Sequence, residues 1–177
     1  VKIKNCTALR NGRQGLSLTG GRYVDIENCN FSYTGRNTDG SELLYSASPA
    51  SGIDMELETG GSIPEELQRY ASLGDINIRN CIIENNHYAI ANGAYEGCLN
   101  IEDSYIGYNI TNTPSGFFII VKGEESITFK NCILESDTNY MKLVSKKTLF
   151  DSCTFKGIRY ISNNNDVERF DIINSDI

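Results

Sequence analysis

The chain contains no tryptophan and a single histidine, His87. The first absence removes the usual platform on which sugars stack, and the second removes most zinc sites and many acid–base schemes. No stretch approaches the ~18 consecutive apolar residues of a membrane-spanning helix, so no membrane span is expected. Basic residues are in the minority: 16 Lys and Arg against 23 Asp and Glu leave a net charge of −7. Nucleic acid and anionic membrane surfaces are bound through a basic face that displaces counterions, so neither is an expected partner. What is present, 177 residues of which 40% are hydrophobic and 22% charged, suits one soluble domain with a core of its own.

A repeat is visible by eye. Val1-Lys2-Ile3-Lys4-Asn5-Cys6 returns as Val24-Asp25-Ile26-Glu27-Asn28-Cys29 and as Ile76-Asn77-Ile78-Arg79-Asn80-Cys81. Further copies are Leu99-Asn100-Ile101-Glu102-Asp103-Ser104 and Ile127-Thr128-Phe129-Lys130-Asn131-Cys132, with weaker ones ending at Cys153 and Ser175. The intervals between the Cys or Ser positions are 23, 52, 23, 28, 21 and 22 residues. Within each copy apolar and polar residues alternate, the period of a strand with one face on a core. A second apolar or alternating stretch follows most copies, as in Gly15-Leu16-Ser17-Leu18, Gly52-Ile53-Asp54-Met55 and Ala89-Ile90-Ala91. Two or three short strands per period describe one coil of a parallel β-solenoid. The Leu-x-x-Leu-x-Leu frame of leucine-rich repeats is absent, and a sandwich would not repeat one motif in register.

Six cysteines invite a disulfide framework. Five of them, however, occupy one position of the repeat, where Ser104 and Ser175 substitute for them. A small residue interchangeable with serine reads as a core-packing slot, in which free cysteine behaves as a small hydrophobe. Cys98 lies off the repeat, and no Cys-x-x-Cys or Cys/His spacing suggests zinc.

The recurring apolar-x-apolar-x-Asn-Cys unit resembles the right-handed parallel β-helices of the pectate-lyase-like superfamily. Arg13-Gln14-Gly15-Leu16-Ser17-Leu18, followed one coil later by Gly52-Ile53-Asp54-Met55-Glu56, is similar to bacterial and phage right-handed β-helix repeat proteins. The resemblance implies an all-β chain: a right-handed parallel β-helix of about seven coils, one domain over 1–177, with one long loop and one short helix inserted. It implies stacked side chains at the turn (Asn5, Asn28, Asn80, Asp103, Asn131, Asn174), and Cys6, Cys29, Cys81, Cys132 and Cys153 stacked in the core. The family mostly handles polysaccharides, as lyases, hydrolases, epimerases, phage tailspikes and adhesins. The implied setting is therefore extracellular, on a cell surface or on a virion.

Two stretches within the 52-residue interval break the rhythm. Residues 35–50, rich in Gly, Ser, Asn and Asp, read as a long surface loop, a kind of segment that is often functional. In 57–74, Ser62 and Glu65 have capping-box spacing, Pro64 falls in the first turn and Gly74 stands as a stop, which predicts a short helix lying on the solenoid. Loop and helix together would either shield a patch of strand or wall a lateral groove.

If Leu16, Ile53 and Ile90 are equivalent inward positions, Ser17, Asp54 and Ala91 stack outward. So do Thr19, Glu56 and Gly93, and, if the strand extends that far, Arg13, Ala50 and His87. Coils about 4.8 Å apart would then gather Arg13, Asp54, Glu56 and His87 on one surface, flanked by Gln14 and Tyr88. In this arrangement Asp54, Glu56 and His87 are the candidate catalytic residues, and Arg13, Gln14 and Tyr88 the candidate substrate-binding ones. Paired carboxylates suit an inverting glycosidase. They could equally hold Ca²⁺ that neutralises a uronate while a base takes the C5 proton, so Ca²⁺ is the one cofactor under consideration. Arg13 would hold a substrate carboxylate through two hydrogen bonds. Outward carboxylates also serve an acidic solenoid simply as solubilising groups.

Asn37-Thr38-Asp39-Gly40 matches a tetrapeptide of polygalacturonases, but the Asp-Asp, Gly-His-Gly and Arg-x-Lys motifs that accompany it there are missing. Four turn-forming residues in a loop are the simpler reading. The first and last residues both fall inside copies of the repeat. The expectation is a piece of a longer solenoid whose ends are covered by flanking domains or by subunits of a homotrimer. The expected partner is a polysaccharide, met either by an enzyme that cleaves it or by a non-catalytic module that binds it, with a purely structural spacer as the third reading.

Overall fold

The structure is a computed structural model that describes residues 1–37, 39, 41, 47–56, 64, 73–107, 117–123, 125–136, 140–158, 160–163 and 167–177. Among the described residues the chain is all-β, with eighteen strands and no helix. The strands fall into three parallel ladders that the chain visits in rotation.

The first ladder is built from the repeated unit itself: β1 (Lys2–Lys4), β4 (Gly21–Glu27), β7 (Leu73–Arg79), the second half of β9 (Tyr88–Glu102), β12 (Ser126–Lys130), β15 (Lys147–Asp151) and β18 (Arg169–Ile173). The second holds six three-residue strands: β2 (Thr7–Leu9), β5 (Asn30–Ser32), β8 (Ile82–Glu84), β10 (Tyr105–Gly107), β13 (Ile133–Glu135) and β16 (Thr154–Lys156). The third runs through β3 (Gln14–Leu18), β6 (Ser51–Glu56), the first half of β9, β11 (Phe117–Gly123), β14 (Tyr140–Val144) and β17 (Tyr160–Asn163). β9 serves two ladders because the chain passes from Tyr88 to Glu102 without a break in pairing.

Register is set by the alternation. In the first ladder Ile3, Ile26, Ile78, Ile101, Phe129, Phe150 and Ile172 lie side by side in consecutive strands. Ala8, Phe31, Ile83, Ile106, Leu134 and Phe155 form the matching row of the second. Most of these side chains are fully buried, and the inward rows of all three ladders belong to one hydrophobic cluster. Each such side chain contributes about 1.5–3 kcal/mol on removal from water. Phe129 and Phe150 stack with centroids 4.8 Å apart and planes 9° from parallel, the geometry that strand spacing imposes on identical neighbours.

The Asn of the repeat has a backbone role. Asn5, Asn28, Asn80, Asp103, Asn131, Ser152 and Asn174 all adopt φ of 49–56°, a left-handed conformation that Asn and Asp tolerate better than other side chains. That residue turns the chain from the first ladder to the second. Where the amides stack they link repeats: Asn28 Nδ2 donates to Asn5 Oδ1 at 3.3 Å, Asn80 Nδ2 to Asn28 Oδ1 at 2.7 Å, and Asn131 Nδ2 to Asp103 Oδ1 at 2.6 Å.

All six cysteines are free thiols. Cys29, Cys81, Cys132 and Cys153 are buried, whereas Cys6 in the first repeat is exposed. The slot is more than a small hydrophobic space. Each side chain donates to the carbonyl two residues before it: Cys29 Sγ to Glu27 O at 3.2 Å, Cys81 Sγ to Arg79 O at 3.2 Å, Ser104 Oγ to Glu102 O at 2.7 Å and Ser175 Oγ to Ile173 O at 2.8 Å. A thiol and a hydroxyl are interchangeable here because both are small and both donate.

The residue before each Asn forms an outward row of alternating sign: Lys4, Glu27, Arg79, Glu102, Lys130 and Asp151, each opposite the next. Lys4 Nζ lies 2.6 Å from Glu27 Oε2, and Arg79 lies 2.9 Å from Glu27 Oε1 and 3.2 Å from Asp25. Opposite charges in register favour this stacking over a slipped one.

The expected loop and helix fall largely outside the described residues. Of 35–50, residues 38, 40 and 42–46 are not described, and the remainder carries no named strand. Of 57–74, only Pro64, Leu73 and Gly74 are described. Gly74 is a strand residue rather than a helix stop: it lies in β7 and pairs with Arg22 and Glu96, because the strand begins ahead of the repeated unit at the fully buried Leu73.

Candidate functional site

The third ladder carries the residues singled out for chemistry. Its pairing places Leu16, Ile53 and Ile90 in one row and Ser17, Asp54 and Ala91 in the next, as the spacing predicts. Two residues before the Leu16 row, Gln14, Ser51 and Tyr88 pair, and where the strands begin Ser51 N–H donates to Arg13 O and His87 N–H to Ala50 O. Arg13, Ala50 and His87 are therefore neighbours on consecutive repeats. Past Asp54 the register slips: Glu56 pairs with Ala94, whereas Gly93 pairs with Val121, and β3 ends before Thr19. The expected row of Thr19, Glu56 and Gly93 does not form, because a bulge between Asp54 and Glu56 shifts the strand by one residue.

The bend at the start of these strands explains their glycines. A Cβ on Gly15 would lie 2.5 Å from Gly52 O and 3.4 Å from Phe31 Cβ; on Gly52 it would meet Asn86 Nδ2 at 2.7 Å and Ile83 Cγ2 at 2.8 Å. The backbone here presses against the core and against its neighbour, and only glycine fits.

Asp54 departs from the expectation of an open carboxylate. It occupies the predicted position, on the side of the strand opposite the core residues Ile53 and Met55, yet it is 0% exposed. Gln14 on the neighbouring strand donates its side-chain amide to Asp54 Oδ2. Glu56, two residues on, is exposed. Alternation tells which side of a strand a side chain leaves by; it is silent on whether another segment lies over it.

The remaining candidates surround this pair. Arg13 is exposed and donates from Nε to Ser48 O at 3.3 Å. His87 and Tyr88 are half-buried, with their rings edge to face and centroids 4.9 Å apart. The structure thus groups Gln14 with Asp54, Arg13 with the residues entering β6, and His87 with Tyr88. It leaves Glu56 as the open carboxylate beyond the bulge.

Buried polar residues that the sequence did not single out lie beneath them. Asn86 is fully buried; its Nδ2 donates to Phe31 O at 2.9 Å, and its Oδ1 accepts from Thr34 N–H at 2.8 Å. It fastens the turn before β9 to the residues after β5. Thr34 and Ser51 are both 0% exposed, and their hydroxyl oxygens have no hydrogen-bond partner among the described residues. Arg36 is 4% exposed in the same region. The pair Asn85-Asn86 reads as an ordinary surface turn, so nothing local marks Asn86 as the buried member.

Burial also holds the Glu84 carboxyl above its ordinary value, at the end of β8 and three residues ahead of His87. That is the environment that keeps a carboxylic acid protonated longer. Among the described residues no group of three or more His, Cys, Asp or Glu is gathered to hold a metal ion. Among the described residues no helix is long and apolar enough to cross a membrane.

Comparison of the chain with protein-family models, with curated proteins and with solved structures found no match.

Proposed function

We propose that the three ladders are the walls of one right-handed parallel β-helix, and that this domain binds an extracellular or capsular polysaccharide on a lateral face. The handedness follows from the strong right-handed preference of crossovers between parallel strands. Support for the closed helix comes from the rotation of the chain through the ladders in order and from their shared core. The glycan assignment rests on the resemblance of the repeat to polysaccharide-handling β-helices and on one observation. That observation is two adjacent rows where the third ladder begins, Arg13 and His87 flanking Ala50 and Gln14 and Tyr88 flanking Ser51, with Arg13 bonded to Ser48 of the 35–50 insertion. Hydrogen-bonding side chains at strand spacing match the hydroxyls of successive sugar units, and a rigid ladder lowers the entropic cost of holding them there.

Binding without cleavage is favoured over catalysis because Asp54 is enclosed and already engaged by Gln14. Cleavage is the second reading, carried by the placement of Asp54 and exposed Glu56 two residues apart on β6. A glycan array on the intact chain tests both. Binding that falls about tenfold in Arg13→Ala or Tyr88→Ala supports the first reading. Release of reducing ends or of unsaturated uronates, abolished in Asp54→Asn or Glu56→Gln with folding intact, establishes the second. Neither binding nor product across a broad panel would leave the domain as a structural spacer.

A further inference from the structure

The outward face of the first ladder changes character along its length. In the early repeats its side chains bond to one another: Asn100 Nδ2 donates to Asn77 Oδ1 at 3.0 Å, Asn77 Nδ2 to Asp25 Oδ1 at 3.2 Å, and Arg79 joins Asp25 to Glu27. In the last repeats that lattice stops. The row continues as Thr128, Leu149 and Asp171, and the row two residues earlier as Ser126, Lys147 and Arg169. Between them lies a groove of about 340 Å³, within the ~300–1,000 Å³ of small-molecule sites.

Two features of this groove point to an anionic ligand. Lys147 and Arg169 stand directly opposite one another in the ladder, on a protein whose net charge is −7. Like charges in that relation repel, and the sign opposes that of the whole chain. Arg169 is offset by Asp171, to which its Nε donates, but among the described residues no carboxylate lies within ion-pair distance of Lys147. The rest of the lining is mixed: Leu149 supplies an apolar floor, Thr128 and Ser126 supply hydroxyls, and Asp171 supplies an acceptor. A bare inorganic anion would have no use for the floor, and an apolar ligand would have none for the cations.

We infer that this groove is a subsite for an acidic sugar, whose carboxylate lies between Lys147 and Arg169 while a C–H face of its ring rests on Leu149. Ring hydroxyls then donate to Asp171 and exchange hydrogen bonds with Thr128 and Ser126. The groove lies on a different ladder from Asp54, Gln14 and His87, so it is separate from the site described above. The inference rests on the glycan-binding reading and narrows it to uronate-containing chains.

The test is calorimetric titration of the intact chain with a linear tri-uronate and with the matching neutral trisaccharide, at low and high salt. Both cations are on the surface, so Lys147→Gln, Arg169→Gln and the double variant are expected to fold, with circular dichroism as the check. The expected result is tri-uronate binding at least about tenfold tighter than neutral binding, weakened by salt. It falls about tenfold or more in the double variant and is unchanged in Lys2→Gln, which removes an exposed cation at the other end of the same ladder. Equal affinity for the two trisaccharides overturns the inference, as does unchanged affinity in the double variant or full competition by inorganic phosphate at equal concentration. If other glycans bind while the tri-uronate does not, the subsite falls and the broader reading stands. If no glycan of the panel binds, both fall.

Discussion

Gln14 donates its side-chain amide to the carboxylate of Asp54, 40 residues away in sequence and on the neighbouring strand. The bond joins two candidate residues into one unit, in which the half-buried Gln14 engages a carboxylate that is wholly shielded from solvent. Removing the acceptor should therefore cost more than a surface change. Asp54→Ala is expected to lower unfolding free energy by about 1–3 kcal/mol, since it removes a hydrogen bond to a buried, charged acceptor. Asp54→Asn, which keeps an oxygen in place, should cost less. Urea unfolding of the two variants checks this, and equal stability of Asp54→Ala and the parent chain would refute it.

Thr34 and Ser51 make the opposite case. Their buried hydroxyls lack hydrogen-bond partners among the described residues, so burying them costs free energy without return. Thr34→Val and Ser51→Ala should leave stability within about 0.5 kcal/mol of the parent or raise it. A loss above 1 kcal/mol in denaturation would mean that each hydroxyl does have a partner.

Glu27 predicts an acid-side signature. The hydrogen bonds from Lys4 and Arg79 lower its pKa from 4.5 to about 2. A carboxyl depressed on folding stabilises the native state fully above its ordinary value, and that contribution is lost as pH falls through the folded one. Melting temperature should therefore decline between roughly pH 4.5 and 2, and Glu27→Gln should flatten that decline. A parallel pH profile for the variant would count against the pairing.

Cys81 predicts the alkaline counterpart. Burial pushes its thiol from 9.0 up to about 11. The stabilisation is whole below the unfolded value and is lost as pH rises from about 9 to about 11. Hydrogen bonding with Cys153 and burial likewise hold the Cys132 thiol above its usual range. Native-state labelling near pH 8 should modify exposed Cys6 quickly and leave Cys81 and Cys132 untouched. Cys81→Ser should be tolerated within about 1 kcal/mol, because Ser104 already fills the same slot, whereas Cys81→Leu should cost about 1–3 kcal/mol by overpacking.

Asn28 separates backbone from side chain. Its φ of 54° suits glycine, and its amide links Asn5 to Asn80. Asn28→Gly should lose only the side-chain bonds, whereas Asn28→Ala also keeps a Cβ in the left-handed region without the polar group that lets Asn tolerate it. The alanine variant should be the less stable by about 1–2 kcal/mol in thermal unfolding, and the reverse order would contradict the turn assignment.

Much of the ladder register was legible in the sequence. The unit ending at Cys29 recurs 52 residues later, and Asp25, Ile26 and Glu27 do pair with Asn77, Ile78 and Arg79. The same logic placed Ser17 beside Asp54, and it failed at Glu56, where a one-residue bulge leaves no mark in composition. The alternating row from Lys4 to Asp151 becomes visible only once register assigns each charge its neighbour. Asn86 went unnoticed because its partners, Phe31 and Thr34, lie 55 and 52 residues away.

By itself the sequence determined what is local: which residues alternate into strands, where an Asn bends the chain through a positive φ, and which slot accepts either a thiol or a hydroxyl. Those properties depend on a side chain and one or two backbone neighbours. Only the tertiary structure decided that Asp54 is enclosed while Glu56 is open, that Asn86 is a buried fastener, and that Lys147 and Arg169 stand side by side along one groove. Each of these depends on which distant segment comes to lie against the residue, and solvent exclusion is a property of that assembly rather than of any stretch of chain.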